Sequence, residues 1–119
     1  ITQTVSAYNY AYLDEFLNWS PCPVDMNFVY DPDYLSPAIL PPVVRRQVHE
    51  KFRKTLGNKY ELGTLLSMFD NDDWDETKWE HFCRYNDELD KIRKHDEGWR
   101  DIFPELVELC ETNGIQHRY

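Results

Sequence analysis

Residues 1–6, ITQTVS, alternate Ile1, Gln3 and Val5 with Thr2, Thr4 and Ser6, and four of the six are β-branched. That period of two predicts a short β-strand. The period then changes. Tyr10, Leu13, Phe16 and Leu17 recur at spacings of three, four and seven, which predicts an amphipathic helix from Tyr10 to Trp19 with Asn9 as its N-cap. Pro21 and Pro23 in SPCP stop it, because neither can continue a helix. In VDMNFVY, residues 24–30, Val24, Met26, Phe28 and Tyr30 alternate with Asp25, Asn27 and Val29, the pattern of a second strand.

Strand, helix and strand in so short a span make a βαβ unit, whose strands should be parallel and whose crossover should be right-handed. Parallel sheets are normally buried on both faces, and two strands alone make a weak sheet. The unit therefore reads as incomplete, with further strands supplied by other sequence or by a second copy of the chain. Self-association through the N-terminal strands is the expectation, since open edges template pairing.

Beyond the proline-punctuated loop DPDYLSPAILPP the pattern is helical. Val44, Val48, Phe52 and Leu56 mark one stripe of a helix from about Pro42 to Leu56, closed by Gly57 and Asn58. A shorter helix follows in KYELGTLLSMF, with Leu62, Leu65, Leu66 and Phe69 expected inward. Asp75 is placed to cap a long helix to about Lys94 carrying Trp79, Phe82, Cys83, Leu89 and Ile92. The last helix is predicted from about Phe103 to Asn113, with Pro104 in its first turn and Gly114 past its end. The expected fold class is α/β, mostly helical. A βαβ unit with two parallel strands over residues 1–40 is followed by about four helices over 41–119, in one compact domain.

Composition narrows the function classes. At 119 residues, with 41% hydrophobic and 15% aromatic side chains, the chain can build a core. A net charge of −9 disfavours nucleic acid, whose phosphates need cationic neutralisation, and anionic membrane surfaces on the same grounds. It suits a solubilising surface or a basic partner. Cys22, Cys83 and Cys110 are an odd, widely spaced set without a CxxC pair, which fits a reducing cytoplasm rather than a disulfide framework. No apolar run approaches the length of a membrane span, and no signal peptide is apparent.

Candidate chemistry is sparse. DNDDWDETKWEHF, residues 70–82, carries acids at calcium-loop spacing, but neither register places glycine at position 6 or glutamate at position 12. A helix N-terminus, with Asp75 and Glu76 meeting the dipole, accounts for it better. His49, His81, His95 and His117 fall on different predicted elements and read as surface or packing residues, with metal or nucleophile roles the alternative. DKIRKHDEGWRD mixes charges at helical spacing, the mark of a solvated face. Tyr8, Tyr10, Tyr12 and Trp19 are expected in core or interface; a base-stacking role would need a basic groove.

Three stretches together resemble a known family. TVSAYNYAYLDEFLNW follows a TVS..N...L..FL.W pattern, VDMNFVYDPDYLSPAILP carries a P.YLSP..LP exit, and LDKIRKHDEGWRDIFPEL is similar, with a longer spacer and no middle Phe, to LD..R...F...FPEL. These resemble the C-terminal portion of the twitch-domain-containing radical S-adenosylmethionine proteins of marine phages and bacteria. The resemblance implies the end of a partial (β/α) barrel plus a C-terminal helical cap. The parent enzyme would cleave S-adenosylmethionine with a [4Fe–4S] cluster held by CxxxCxxC. This chain has no such motif, so alone it is expected to bind no cofactor and to be catalytically inert, and its abrupt start at Ile1 is expected of a truncated frame or boundary.

Chemistry in such barrels sits at the C-terminal ends of the strands. On that analogy Ser6, Asn9, Asn27 and Tyr30 would touch cofactor or substrate in the parent, although capping by Asn9 and packing by Tyr30 explain those two without function. The alternative function is a small acidic helical protein that binds a basic protein partner.

Overall fold

The computed structural model describes residues 2–57, 62–94 and 96–119. The expectations for Ile1, Asn58 and His95, and for the Leu62 and Leu65 side chains, fall outside the described residues. Strands β1 (Thr2–Val5) and β2 (Asp25–Phe28) pair in parallel, with Thr2 opposite Asp25, Gln3 opposite Met26, Thr4 opposite Asn27 and Val5 opposite Phe28. The crossover between them is α1 (Leu13–Trp19), entered through a 3₁₀ turn at Tyr10–Tyr12. After two further 3₁₀ turns, Asp33–Leu35 and Pro37–Ile39, come α2 (Pro42–Leu56), α3 (Leu62–Ser67), α4 (Glu76–Arg93), α5 (Trp99–Ile102) and α6 (Pro104–Thr112). The α/β, mostly helical class expected from the periodicity is the class observed. Among the described residues, no helix is long and apolar enough to cross a membrane.

One hydrophobic cluster joins the βαβ unit to the helices. Val5 and Tyr10 from the first segment are buried with Val44, Phe52, Trp79 and Phe82 from the second. Tyr10 is the hub, its ring 5.4 Å from Phe52 and 5.3 Å from Phe69, both edge-on. On α2 the predicted stripe is the buried stripe, and Gly57 ends the helix with φ +53, a conformation that costs other residues steric strain. On α4 the Asp75 carboxylate accepts from Thr77 N–H at 3.0 Å, the predicted cap.

Three expectations are corrected. Asn9 caps no helix: its side chain makes no capping bond to the turn that follows and is spent on β1 instead, while the first turn tightens to 3₁₀. Ile92 is 73% exposed, because six residues beyond Asn86 a helix has turned to about 120° off the buried Trp79–Phe82–Asn86 stripe. Leu89 is only half-buried. The charged 90–101 stretch is not a plain solvated face. Trp99 is buried, its Nε1 donates to Asp87 Oδ1 at 2.9 Å, and Arg100 grips the same carboxylate at 2.6 and 3.3 Å. Arg100 also donates to His117 Nδ1 at 2.9 Å and His117 O at 2.6 Å, so the C-terminal tail is strapped onto α4 through α5.

Candidate functional site: the bare polar face of the strand pair

Side chains alternate across a sheet, so Gln3, Val5, Met26 and Phe28 share one face and Thr2, Thr4, Asp25 and Asn27 the other. The first face is covered: Val5 is fully buried, and the Phe28 ring sits 5.4 Å from Phe69. The second is bare, with all four residues exposed. Ser6, just past β1, continues the Thr2–Thr4 row and is half-buried. The result is a small patch of hydroxyl, amide and carboxylate groups on a parallel strand pair.

The outer edge of β1 is closed by a side chain. Val29 N–H donates to Val5 O at 2.9 Å, and the parallel register assigns the backbone groups of Gln3 and Val5 to β2. The groups of Thr4 and Ser6 therefore point the other way. Asn9 meets both, its Nδ2 donating to Thr4 O at 2.9 Å and its Oδ1 accepting from Ser6 N–H at 2.8 Å. One side-chain amide thus stands in for a residue of a neighbouring strand, a way of blunting an edge. Asn9→Ala is expected to lose about 1–2 kcal/mol, as two partners are stripped from the strand end. It should also raise the tendency to associate, with chemical denaturation and light scattering reading the two effects.

Of the four residues singled out in the sequence, Ser6 and Asn27 lie on the bare face. Asn9 is at its edge, and Ser6 Oγ accepts from Tyr8 N–H at 3.2 Å. Tyr30 does not join them. It is 64% exposed and lines a separate cavity of about 320 Å³ with Asp33, Asp73, Asp75 and Lys78. Thr2, Thr4 and Asp25 were missed, yet the signal was present, since they share the parity of Ser6 and Asn27.

Two of the three thiols are held in their protonated form by burial. Cys22 is exposed, while Cys83 and Cys110 are buried. Burial pushes the Cys110 thiol up to about 12 and raises Cys83 well above the ordinary thiol range, so both are protonated and poor ligands. Among the described residues no three His, Cys, Asp or Glu side chains are grouped to hold a metal.

Two buried polar groups were not legible as such. Asp14 is fully buried and held by Lys51 Nζ at 3.4 Å, which also meets Glu105 at 2.8 Å and donates to Ala11 O at 2.9 Å. This cluster ties α1, α2 and α6 together. His49 is buried, and its Nε2 lies 2.6 Å from the Tyr10 hydroxyl. With that hydroxyl donating, the ring proton belongs on Nδ1. Nδ1 has no hydrogen-bond partner, and the nearest acid, Asp70, is 4.0 Å away. Burial pushes His49 down to about 4; Asp70 opposes the shift, and Arg53 and Arg45 add to it.

The native state thus binds fewer protons than the unfolded chain between about pH 4 and the ordinary histidine value near 6.5. The His49 contribution is therefore complete above about 6.5 and lost as pH falls towards 4, on the order of 3 kcal/mol in all. Denaturant unfolding of the wild type and His49→Gln across that window checks this, the variant having the flatter profile.

Together these features define a mostly helical α/β chain with a one-sided parallel strand pair. No family model matches the chain, and no curated protein or solved structure matches it.

Proposed function

We propose that this chain forms the last βαβ step and the helical cap of a radical S-adenosylmethionine-like (β/α) barrel enzyme. Its bare strand face would look into the barrel, with Thr2, Thr4, Ser6 and Asn27 offering hydrogen bonds to S-adenosylmethionine or substrate. The observation that carries the reading is the one-sided burial of a parallel strand pair. Parallel strands ordinarily have both faces covered, and in a barrel helices cover the outside while the other face lines the interior. Cluster ligation would fall to residues outside this sequence, so the chain alone is catalytically inert.

Alone, the chain should self-associate through the outer edge of β2. There the register turns the backbone groups of Met26 and Phe28 away from β1, and among the described residues no backbone bond reaches them. A cytoplasmic location without a nucleic-acid partner fits the unpaired cysteines and the charge of −9. Sequencing the coding DNA upstream of the Ile1 codon tests the assignment. An in-frame segment with an alternating β/α pattern and CxxxCxxC supports it. A start codon directly before Ile1 overturns it in favour of an acidic module that binds a basic protein.

A further inference from the structure

Where β1 runs into Tyr8, a groove of about 420 Å³ opens between α4 and the α5–α6 elbow. Its volume lies within the range of small-ligand sites, roughly 300–1,000 Å³. Tyr8, Tyr85, Phe103 and the largely buried Trp99 are among its lining residues, with Ile102, 55% exposed, as an apolar lip. The rings are braced rather than loose: Tyr8 packs 5.1 Å from Phe82 and 5.6 Å from Phe103.

The polar groups in the groove are mostly committed. Tyr8 OH donates to Asn86 Oδ1 at 2.8 Å, and Asn86 Nδ2 donates to Phe82 O at 2.8 Å. Asp90 Oδ2 accepts from Trp99 N–H at 3.0 Å and lies so close to the elbow that a Cβ at Gly98 would fall 2.7 Å from it. Asp90 is thus turned to the elbow backbone. Arg93, the last residue of α4, differs. It lines the groove, is exposed, acts electrostatically on the Tyr8 hydroxyl, and forms no ion pair among the described residues although Asp90 is one turn away.

A groove lined by aromatic and aliphatic residues, with its other polar groups committed and one guanidinium outside any ion pair among the described residues, suits a flat hydrophobic body bearing an anionic group. We infer that this groove binds a small aromatic carboxylate, its rings between Tyr8, Tyr85 and Phe103 and its carboxylate on Arg93. The inference does not rest on the barrel reading, because every residue it uses lies on this chain.

The test is an NMR titration of the protein with 2-naphthoate and with 2-naphthalenemethanol, its uncharged counterpart. The acid should shift the amide signals of Tyr8, Asn86 and Ile102 and bind more tightly than the alcohol. Arg93→Met should weaken the acid by about tenfold or more and leave the alcohol unchanged. Arg84→Met removes an exposed arginine paired with Glu80, outside the groove, and should change neither. Absence of shifts at the groove overturns the site. Equal affinity for acid and alcohol, or an Arg93→Met variant that binds the acid as the wild type does, overturns the assignment of an anion.

Discussion

Trp79→Ala should destabilise the protein by about 3–5 kcal/mol, the range for deleting a large buried aromatic side chain. Trp79 is fully buried near the middle of the core and stacks on Phe82 at 5.5 Å with the rings 21° apart. Its Nε1 donates to Gln116 O at 2.8 Å, so the same residue fills the interior and fastens the C-terminal tail. Alanine leaves a cavity that the surrounding helices cannot fully close, and a carbonyl without its donor. Since domains of this size are stable by only about 5–15 kcal/mol, the variant should be largely unfolded in modest urea. Trp19→Ala is the control: that ring is 70% exposed, and its loss should move stability by no more than about 0.5 kcal/mol. Urea unfolding followed by circular dichroism separates the two, and a Trp79 variant as stable as the Trp19 variant would refute the assignment of Trp79 to the core.

Arg45→Met should cost about as much, again about 3–5 kcal/mol, by a different route. Arg45 is 1% exposed, yet no described carboxylate forms an ion pair with it. Its charge is met by oxygen dipoles. Nε donates to Leu40 O at 2.9 Å, Nη1 to Phe69 O at 3.0 Å and Asn71 Oδ1 at 3.3 Å, and Nη2 to Asp73 O at 2.5 Å. One guanidinium therefore stitches the turn before α2 to the chain between α3 and α4. Methionine would fill the stem's volume but strand the carbonyls of the buried Leu40 and Phe69 and release the strap to Asp73. Arg45→Lys should recover only part of the loss, because a point ammonium cannot reproduce a planar fork aimed at separate chain segments. If Arg45→Met unfolds at the wild-type urea midpoint, the stitching account is wrong.

Both residues show how far the sequence can be read. Trp79 was legible, since it lies on an apolar stripe at helical spacing behind the Asp75 cap, and packing followed. Arg45 was not. It falls one residue after Val44 in a helix whose pattern marks it only as charged, and its partners Phe69 and Asp73 are 24 and 28 residues away. Trp99 and Arg100 were hidden for the same reason, since the charge density around them outweighs one indole in any local count. The Asn9 error was an exchange of partners: a side-chain amide after a strand and before a helix can serve either, and the open strand edge won because its backbone groups had no other donor or acceptor.

The candidate face divides the same way. Alternation in ITQTVS and VDMNFVY is enough to give Thr2, Thr4 and Ser6 one parity and Asp25 and Asn27 another, within each strand separately. It cannot say that the two sets share a face, or that this face is the uncovered one. That needed the Thr4–Asn27 register and the placement of Phe69 against Phe28, both long-range. What the sequence determined by itself is the part governed by neighbours a few residues apart: the strand alternations, the bounds and stripe of α2, the Asp75 cap of α4, and the proline and glycine stops. Tertiary structure alone decided which strand face is bare, which charges are buried and which ring closes which groove. Those outcomes depend on groups brought together only when chain entropy is spent on distant contacts, and no local pattern encodes the partner.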